Sequence, residues 1–464
     1  MENNLDLVRP RGCSVIQMGA PFQEYEMLRI ISATLATFIA GCTVAAAQDL
    51  KGPVLGAASN FGQSWYPEIL KAAESIPVRD YRAEFYWTRI EPSPGVFRFD
   101  DFTTRYPQNI AATKASMSLI IAGVNPAFGA MAARAVKEFP AIASVEVGNE
   151  FNSQDFVSGP VADTDINTRA AYYVRQLKSV HAQVKAANPN VRILGCSTLA
   201  IPLAYLRPVF ALGGGDYMDA LAIHPYSTSV EQLARQVALV RRIPQARLMP
   251  IEVTEFGSTD PIQAPAKLLE GFCQMALAGV TRLVWYPLSA RGDGLVPLID
   301  AKGGITNVGR SFGFIQQQLV GRHAANFAPD PFTYACRFEE TRLVIWGEPR
   351  AMTLSQGLEA FDATGSQIAG NDLTLSMERP MLVIGDQPIT IGENVTLSAQ
   401  TIVADSMHQF GYPETGEDWV VTDPSNDLPG ARVRKLRWCS ALIRNARRRC
   451  GHRRLPILPM AISA

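Results

Sequence analysis

The sequence predicts an α/β protein, a (β/α)8 TIM barrel followed by a C-terminal antiparallel β-sandwich. Three observations predict it. Between residues 53 and 325, eight short apolar runs alternate with segments of helical periodicity. Polar residues recur at the ends of successive runs, about one βα unit apart. After Pro329 the pattern changes to period two, broken by frequent turn residues.

The strand candidates, in order, are 54–59, 78–85, 118–123, 144–148, 191–196, 218–223, 248–253 and 282–287. Between them Tyr173, Leu177, Val180 and Val184 repeat at helical spacing, stopped by Asn188-Pro189. Val230, Leu233, Val237 and Val240 form a second stripe; Leu268, Phe272 and Met275, closed by Gly279, form a third. Eight such units suit a closed barrel, with an open doubly wound sheet as the alternative. No glycine-rich phosphate loop follows the first strand, which disfavours that alternative. Four alternating segments then read as a small β-sandwich over 331–405 that braces the barrel.

The two ends of the chain read differently. Residues 27–48, "MLRIISATLATFIAGCTVAAAQ", have a basic start, an apolar run and small residues, as an export signal does. The signal peptide is expected over 27–47, with Met27 the initiator and 1–26 an over-extended start. "IAGC" (39–42) resembles a lipobox and would put a lipid on Cys42, the one expected link to a membrane. An exported, periplasmic or extracellular protein follows. From 406 to 464 periodicity is lost, and Ala431–Arg454 holds ten Lys or Arg and no Asp or Glu. That end is read as an irregular Arg-rich tail.

Composition excludes several function classes. Lys+Arg and Asp+Glu both number 43, so bulk charge points to no nucleic-acid partner. Three cysteines (Cys196, Cys273, Cys336) lie within 53–405, widely spaced and without CxxC; they are expected to be buried small hydrophobes, with no disulfide framework or zinc site. Only five His occur in the chain, and only His224 falls at a strand end. No metal and no cofactor is therefore expected.

The chemistry sits at the strand ends, which converge on one mouth in a barrel of this kind. Glu150 ends strand four; His224 and Tyr226 end strand six; Glu255 ends strand seven; Trp285 lies on strand eight. His224 and Glu255 are 31 residues apart and Glu255 and Trp285 are 30 apart, while 74 separate Glu150 from His224. Any one strand-end Glu could be a surface residue or an ion pair. Five polar or aromatic residues at one level carry more weight. Two carboxylates facing each other suit glycosidic bond cleavage, one protonated to assist the leaving oxygen and one ionised to attack or to activate water. An aromatic face suits a sugar ring, and a nearby Arg keeps a carboxylate ionised.

At these residues the chain resembles the clan A glycoside hydrolases, family 39 and its bacterial exopolysaccharide-operon relatives most of all, with family 5 next. The resemblance covers roughly 53–405, including the C-terminal β-domain. It is carried by "YRAEFYWTRIEPSPGVFRFDDF", "GNE", "HPY", "TEFG" and the strand-eight Trp, in that order. It implies that Arg82 lies beside the nucleophile, that Glu150 is the general acid/base, and that Asn149 bonds the sugar 2-OH. It further implies that Tyr226 touches the nucleophile, that Glu255 is that nucleophile, and that Trp285 stacks on the sugar. His224 falls in the strand-six motif.

The expected activity is therefore retaining hydrolysis of an O-glycosidic bond, β-linked, in a polysaccharide or oligosaccharide, by a monomeric enzyme. A catalytically silent carbohydrate-binding barrel, a transglycosylase using the same intermediate and a metal-dependent barrel hydrolase are the rival readings. The aromatic-rich subsite loops that would mark a cellulase, mannanase or xylosidase are not found.

Overall fold

A computed structural model describes residues 50–400, apart from 64, 65, 124 and 126. The expected export signal, Cys42 and the Arg-rich tail lie outside the described residues. The eight barrel strands are β1 (Val54–Ala58), β2 (Asp80–Glu84), β3 (Ser116–Ile121), β4 (Ile142–Val147), β5 (Arg192–Leu199), β6 (Ala220–His224), β7 (Ile251–Phe256) and β8 (Val280–Trp285). All neighbours are parallel, and β1 pairs with β8 to close the ring. Each predicted strand is present, with its ends moved by at most three residues.

The helices follow in alternation: α1 (Pro67–Ser75), short α2 (Trp87–Ile90), α3 (Tyr106–Ala112), α4 (Phe128–Glu138), α5 (Ile166–Ala187), α6 (Leu203–Ala211), α7 (Leu233–Val240), α8 (Ala264–Leu277) and α9 (Asn307–Gln318). Helix α5 begins where the Asp165 carboxylate accepts from the N–H groups of Asn167 and Thr168. It ends before Asn188-Pro189, as proline requires. Its stripe of Tyr173, Leu177, Val180 and Val184 is buried against the sheet.

Strand parity sorts the barrel into two surfaces. Alternate residues such as Leu119, Val145, Ile223, Val253 and Leu283 join the large apolar core under the helices. The residues between them meet across the barrel axis, and many are charged. Low in the barrel, Arg282 lies 2.5 Å from Asp80 and 3.5 Å from Glu252, which also pairs with Arg192. One layer higher, Arg82, Glu146, Thr254 and His224 meet. Buried ions are tolerated here because each finds a partner.

The C-terminal region forms the expected sandwich. A six-stranded antiparallel sheet in the order β14-β13-β16-β11-β10-β9 faces a three-stranded one, β15-β12-β17. These strands are β9 (Ala324–Asn326), β10 (Thr333–Phe338), β11 (Arg342–Gly347), β12 (Ala351–Leu354), β13 (Leu358–Phe361), β14 (Gln367–Ile368), β15 (Asp372–Thr374), β16 (Met381–Gly385) and β17 (Val395–Leu397). Leu343, Ile345, Met352, Val383 and Val395 fill the space between the sheets. The sandwich docks on α8 and α9 through Phe272–Phe338 and Phe314–Phe361, with ring centroids 5.9 and 5.7 Å apart.

One expectation is corrected at this seam. Cys273 of α8 and Cys336 of β10 are not separate apolar fillers but a disulfide, with Cα atoms 5.8 Å apart. Their 63-residue separation hides the pairing, because the bridge joins two domains that meet only after folding. Cys196 is free and buried, as expected.

Candidate active site

The site grows out of the upper charged layer. Arg82 enters it from β2 with 2% exposure, and an isolated guanidinium could not persist there. Its Nε and Nη2 each donate at 2.8 Å to one oxygen of the Glu146 carboxylate on β4. Nη2 also donates to Asn149 Oδ1 at 3.2 Å, and Nη1 donates to Glu255 Oε1. Burial alone would push the Glu146 carboxyl up, but the Arg82 charge and the His224 ring 3.5 Å away hold it well below the usual carboxylate range.

Thr254 links this ion pair to the next. Its one hydroxyl proton goes to Glu146 Oε1 at 2.9 Å, so the His224 Nε2 that lies 3.0 Å away must be the donor in that contact. On its other edge, His224 Nδ1 lies 3.0 Å from Glu150 Oε1. Burial pulls the imidazole pKa down, but Glu255, with hydrogen bonds to Glu146 and Glu150, raises it to about 9. His224 is therefore a buried cation at neutral pH.

Glu150 reaches this position through an unusual backbone. Gly148 has φ +87° and Glu150 has φ +48°, so the chain turns twice through the left-handed region as it leaves β4. A Cβ on residue 148 would sit 3.0 Å from the Tyr173 ring, so a side chain there is excluded twice over. The Glu150 N–H donates to Ser197 O at 2.6 Å, pinning the turn to β5. The result lifts Asn149 and Glu150 off the strand and into the mouth.

Glu255 completes the group. Tyr226 Oη donates to its Oε2 at 2.9 Å while Arg82 holds Oε1. Burial favours the neutral acid, but the charges of His224 and Arg82 and the Tyr226 hydrogen bond outweigh it, so the Glu255 pKa is lowered. Glu150, His224 and Glu255 each offer an atom within 4.8 Å of the others.

These groups open into a cavity of about 560 Å³ lined by Arg82, Asn149, Glu150, Tyr226 and Glu255. That volume lies in the range of small-molecule sites. Six of the seven residues expected from sequence are thus brought together. Trp285 is not. It follows Leu283 at strand spacing and so faces the helices, fully buried, with its indole N–H donating to Val296 O at 3.0 Å and its ring against Phe256. The neighbouring Tyr286 lines the cavity in its place.

Sequence reading missed Glu146, Thr254 and Tyr286. Glu146 had a usable signal, a carboxylate in the middle of an apolar strand in phase with Ser144. Thr254 had none, since a strand Thr is ordinary.

No family model matches the chain, and no curated protein matches it. Solved structures share its fold. A family 39 glycoside hydrolase from the gut symbiont Bacteroides cellulosilyticus WH2 aligns with a TM-score of 0.59 at 16% identity, over 72% of this chain and 81% of its own. A GH30 endoxylanase from Clostridium papyrosolvens C71 gives 0.55 at 11% identity, over 73% and 98%. The GH39 enzyme from Xanthomonas axonopodis pv. citri gives 0.51 at 12%, over 74% and 95%. The structural neighbours are glycoside hydrolases; the likeness is one of fold.

Proposed function

We propose that this chain is a retaining glycosidase that cleaves a β-O-glycosidic bond in an oligosaccharide or polysaccharide. The observation that carries the reading is the approach of two carboxylates across one cavity, with an oxygen of Glu150 and one of Glu255 within 4.8 Å. Inverting enzymes keep their carboxyl groups roughly 6.5–9.5 Å apart to seat a water between sugar and base. The close approach here supports the retaining geometry, in which the carboxyl groups stand about 5–5.5 Å apart.

Glu255 is the nucleophile in this reading. Arg82 and Tyr226 keep it ionised and aim it, so its oxygen attacks the anomeric carbon as the bond to the leaving oxygen breaks. Glu150 gives that oxygen its proton. His224 occupies Glu150 Oε1, and Oε2, which has no hydrogen bond among the described residues, is the oxygen that serves the substrate. In the second step Glu150 takes a proton from water, the hydroxide attacks the anomeric carbon, and Glu255 leaves. Two inversions give net retention.

Action outside the reducing cytoplasm is supported by the Cys273–Cys336 bridge, since such bonds persist in oxidising compartments. NMR of the first-formed sugar tests the mechanism. A β-glycoside should release the β-anomer; release of the α-anomer would sink the retaining assignment.

A further inference from the structure

One sector of the cavity is lined by cationic and amide donors that form no ion pair among the described residues. The ends of β7, β8 and β1 are neighbours, joined by Tyr286 N–H to Phe256 O and Leu288 N–H to Ala58 O, at 2.8 and 2.7 Å. Each contributes to the wall. After β7, Lys267 in the first turn of α8 lies with Nζ 3.4 Å from Tyr226 O and 5.1 Å from the centre of the Phe256 ring. Among the described residues it forms no ion pair. After β1, Asn60 is 7% exposed and Ser59 3%, and Asn60 Nδ2 and Ser59 Oγ have no hydrogen-bond partner among the described residues. After β8, Arg291 lies over the Tyr286 ring at 5.9 Å and donates from Nη1 to Tyr286 Oη at 2.5 Å; among the described residues it has no carboxylate in ion-pair range.

The nearby carboxylates do not answer these donors. Asp293 accepts from Tyr286 Oη at 2.9 Å and from the Leu295 N–H at 3.2 Å. Glu84, at the end of β2, has its pKa raised by burial. Glu255 is held by Arg82 and Tyr226. A buried amide N–H without an acceptor and a half-buried ammonium without a counter-ion are costly, and an anionic ligand removes that cost. Burial lowers the Lys267 pKa, the shift a bound anion reverses.

We propose that the sugar seated against Glu255 carries a carboxylate, which pairs with Lys267 and accepts from Asn60, with Arg291 at the rim. The substrate is then an acidic glycan, bearing either a uronate or a carboxyl ketal. This rests on the glycosidase reading above. Tyr226 ties the two together: its hydroxyl bonds the nucleophile and its carbonyl faces the ammonium.

Two matched pairs of glycans distinguish the sources. Tetrameric β-1,4-glucuronan and cellotetraose differ only in oxidation at C6; a pyruvylated oligogalactan and its acid-depyruvylated form differ only in the ketal. Titration calorimetry on the inactivated Glu255→Gln protein measures binding apart from turnover. The acidic member of one pair should bind about tenfold more tightly or better, as a charge-assisted hydrogen bond provides. That preference should shrink as NaCl rises from about 20 to 300 mM. Lys267→Met, which keeps the stem over Phe256, should bring the acid-to-neutral affinity ratio toward one, and Lys267→Arg should restore much of it. The proposal is overturned if neither acidic glycan binds, if the neutral members bind equally well, or if Lys267→Met leaves the ratio unchanged. Preferred binding of an acidic glycan that the wild-type protein never cleaves would instead overturn the glycosidase reading and leave this one standing.

Discussion

Arg82 and Glu146 meet side-on inside the barrel, with Nε and Nη2 each 2.8 Å from a different oxygen of the same carboxylate. The bidentate contact fixes the plane of the guanidinium, and only then does Nη1 point at Glu255. Glu146 does not line the cavity, yet it sets the direction from which Glu255 is held. Glu146→Gln removes the fully buried countercharge and leaves Arg82 partly uncompensated. Urea unfolding at pH 7 should show a loss of about 3–5 kcal/mol.

Arg82 is also expected to set the acid limb of activity. With the guanidinium in place Glu255 is ionised below the usual carboxylate range. Removing it raises that pKa, so the Arg82→Ala enzyme should lose activity at higher pH on the acid side. The acid limb of kcat/KM should therefore move upward. An unmoved limb in a variant still active enough to measure would remove Arg82 from this role.

His224 makes stability depend on pH in the opposite sense. Its folded pKa of about 9 stands above the ordinary value of 6.5. Its contribution is therefore complete below pH 6.5, declines above it, and is lost as pH rises through 9. The change is on the order of 3 kcal/mol for a shift of this size. Denaturation midpoints for wild type should fall between pH 6.5 and 9, and the His224→Asn protein should show a flatter profile over that window.

The two adjacent aromatics of β8 should separate cleanly. Tyr286→Ala removes a ring from the cavity wall and should raise KM, with kcat/KM down about tenfold, the loss of roughly 1.4 kcal/mol of contact. Trp285→Phe opens space under the helices and should cost about 1–3 kcal/mol of stability. Its KM should stay near the wild-type value. Thermal melts beside steady-state kinetics test both variants in one comparison.

The order of the barrel was legible because each strand carries a short apolar run and the helices between them a repeating stripe. The strand-end carboxylates were legible because polar groups there are expensive unless they work. Trp285 misled because motif order says which strand a residue ends, whereas parity says which way it faces. Counting from Arg282, which points inward, would have turned Trp285 toward the helices. The cysteine pair was hidden for another reason: no local pattern reveals a contact made across 63 residues between domains. The lattice of Arg82, Glu146, Thr254 and His224 belongs to the same class, since its members come from four strands and meet only when the ring closes.

The left-handed turn at Glu150 sets this protein's stability against its chemistry. A side chain at φ +48° costs on the order of 1 kcal/mol that glycine would not incur. Glu150→Gly should relax the backbone and also remove a carboxylate from beside His224 and Glu255. Among single changes at this turn, the one that eases the chain most removes the proposed proton donor. A search for more heat-resistant descendants would keep meeting inactive ones at this codon, and selection for turnover is what would hold glutamate there.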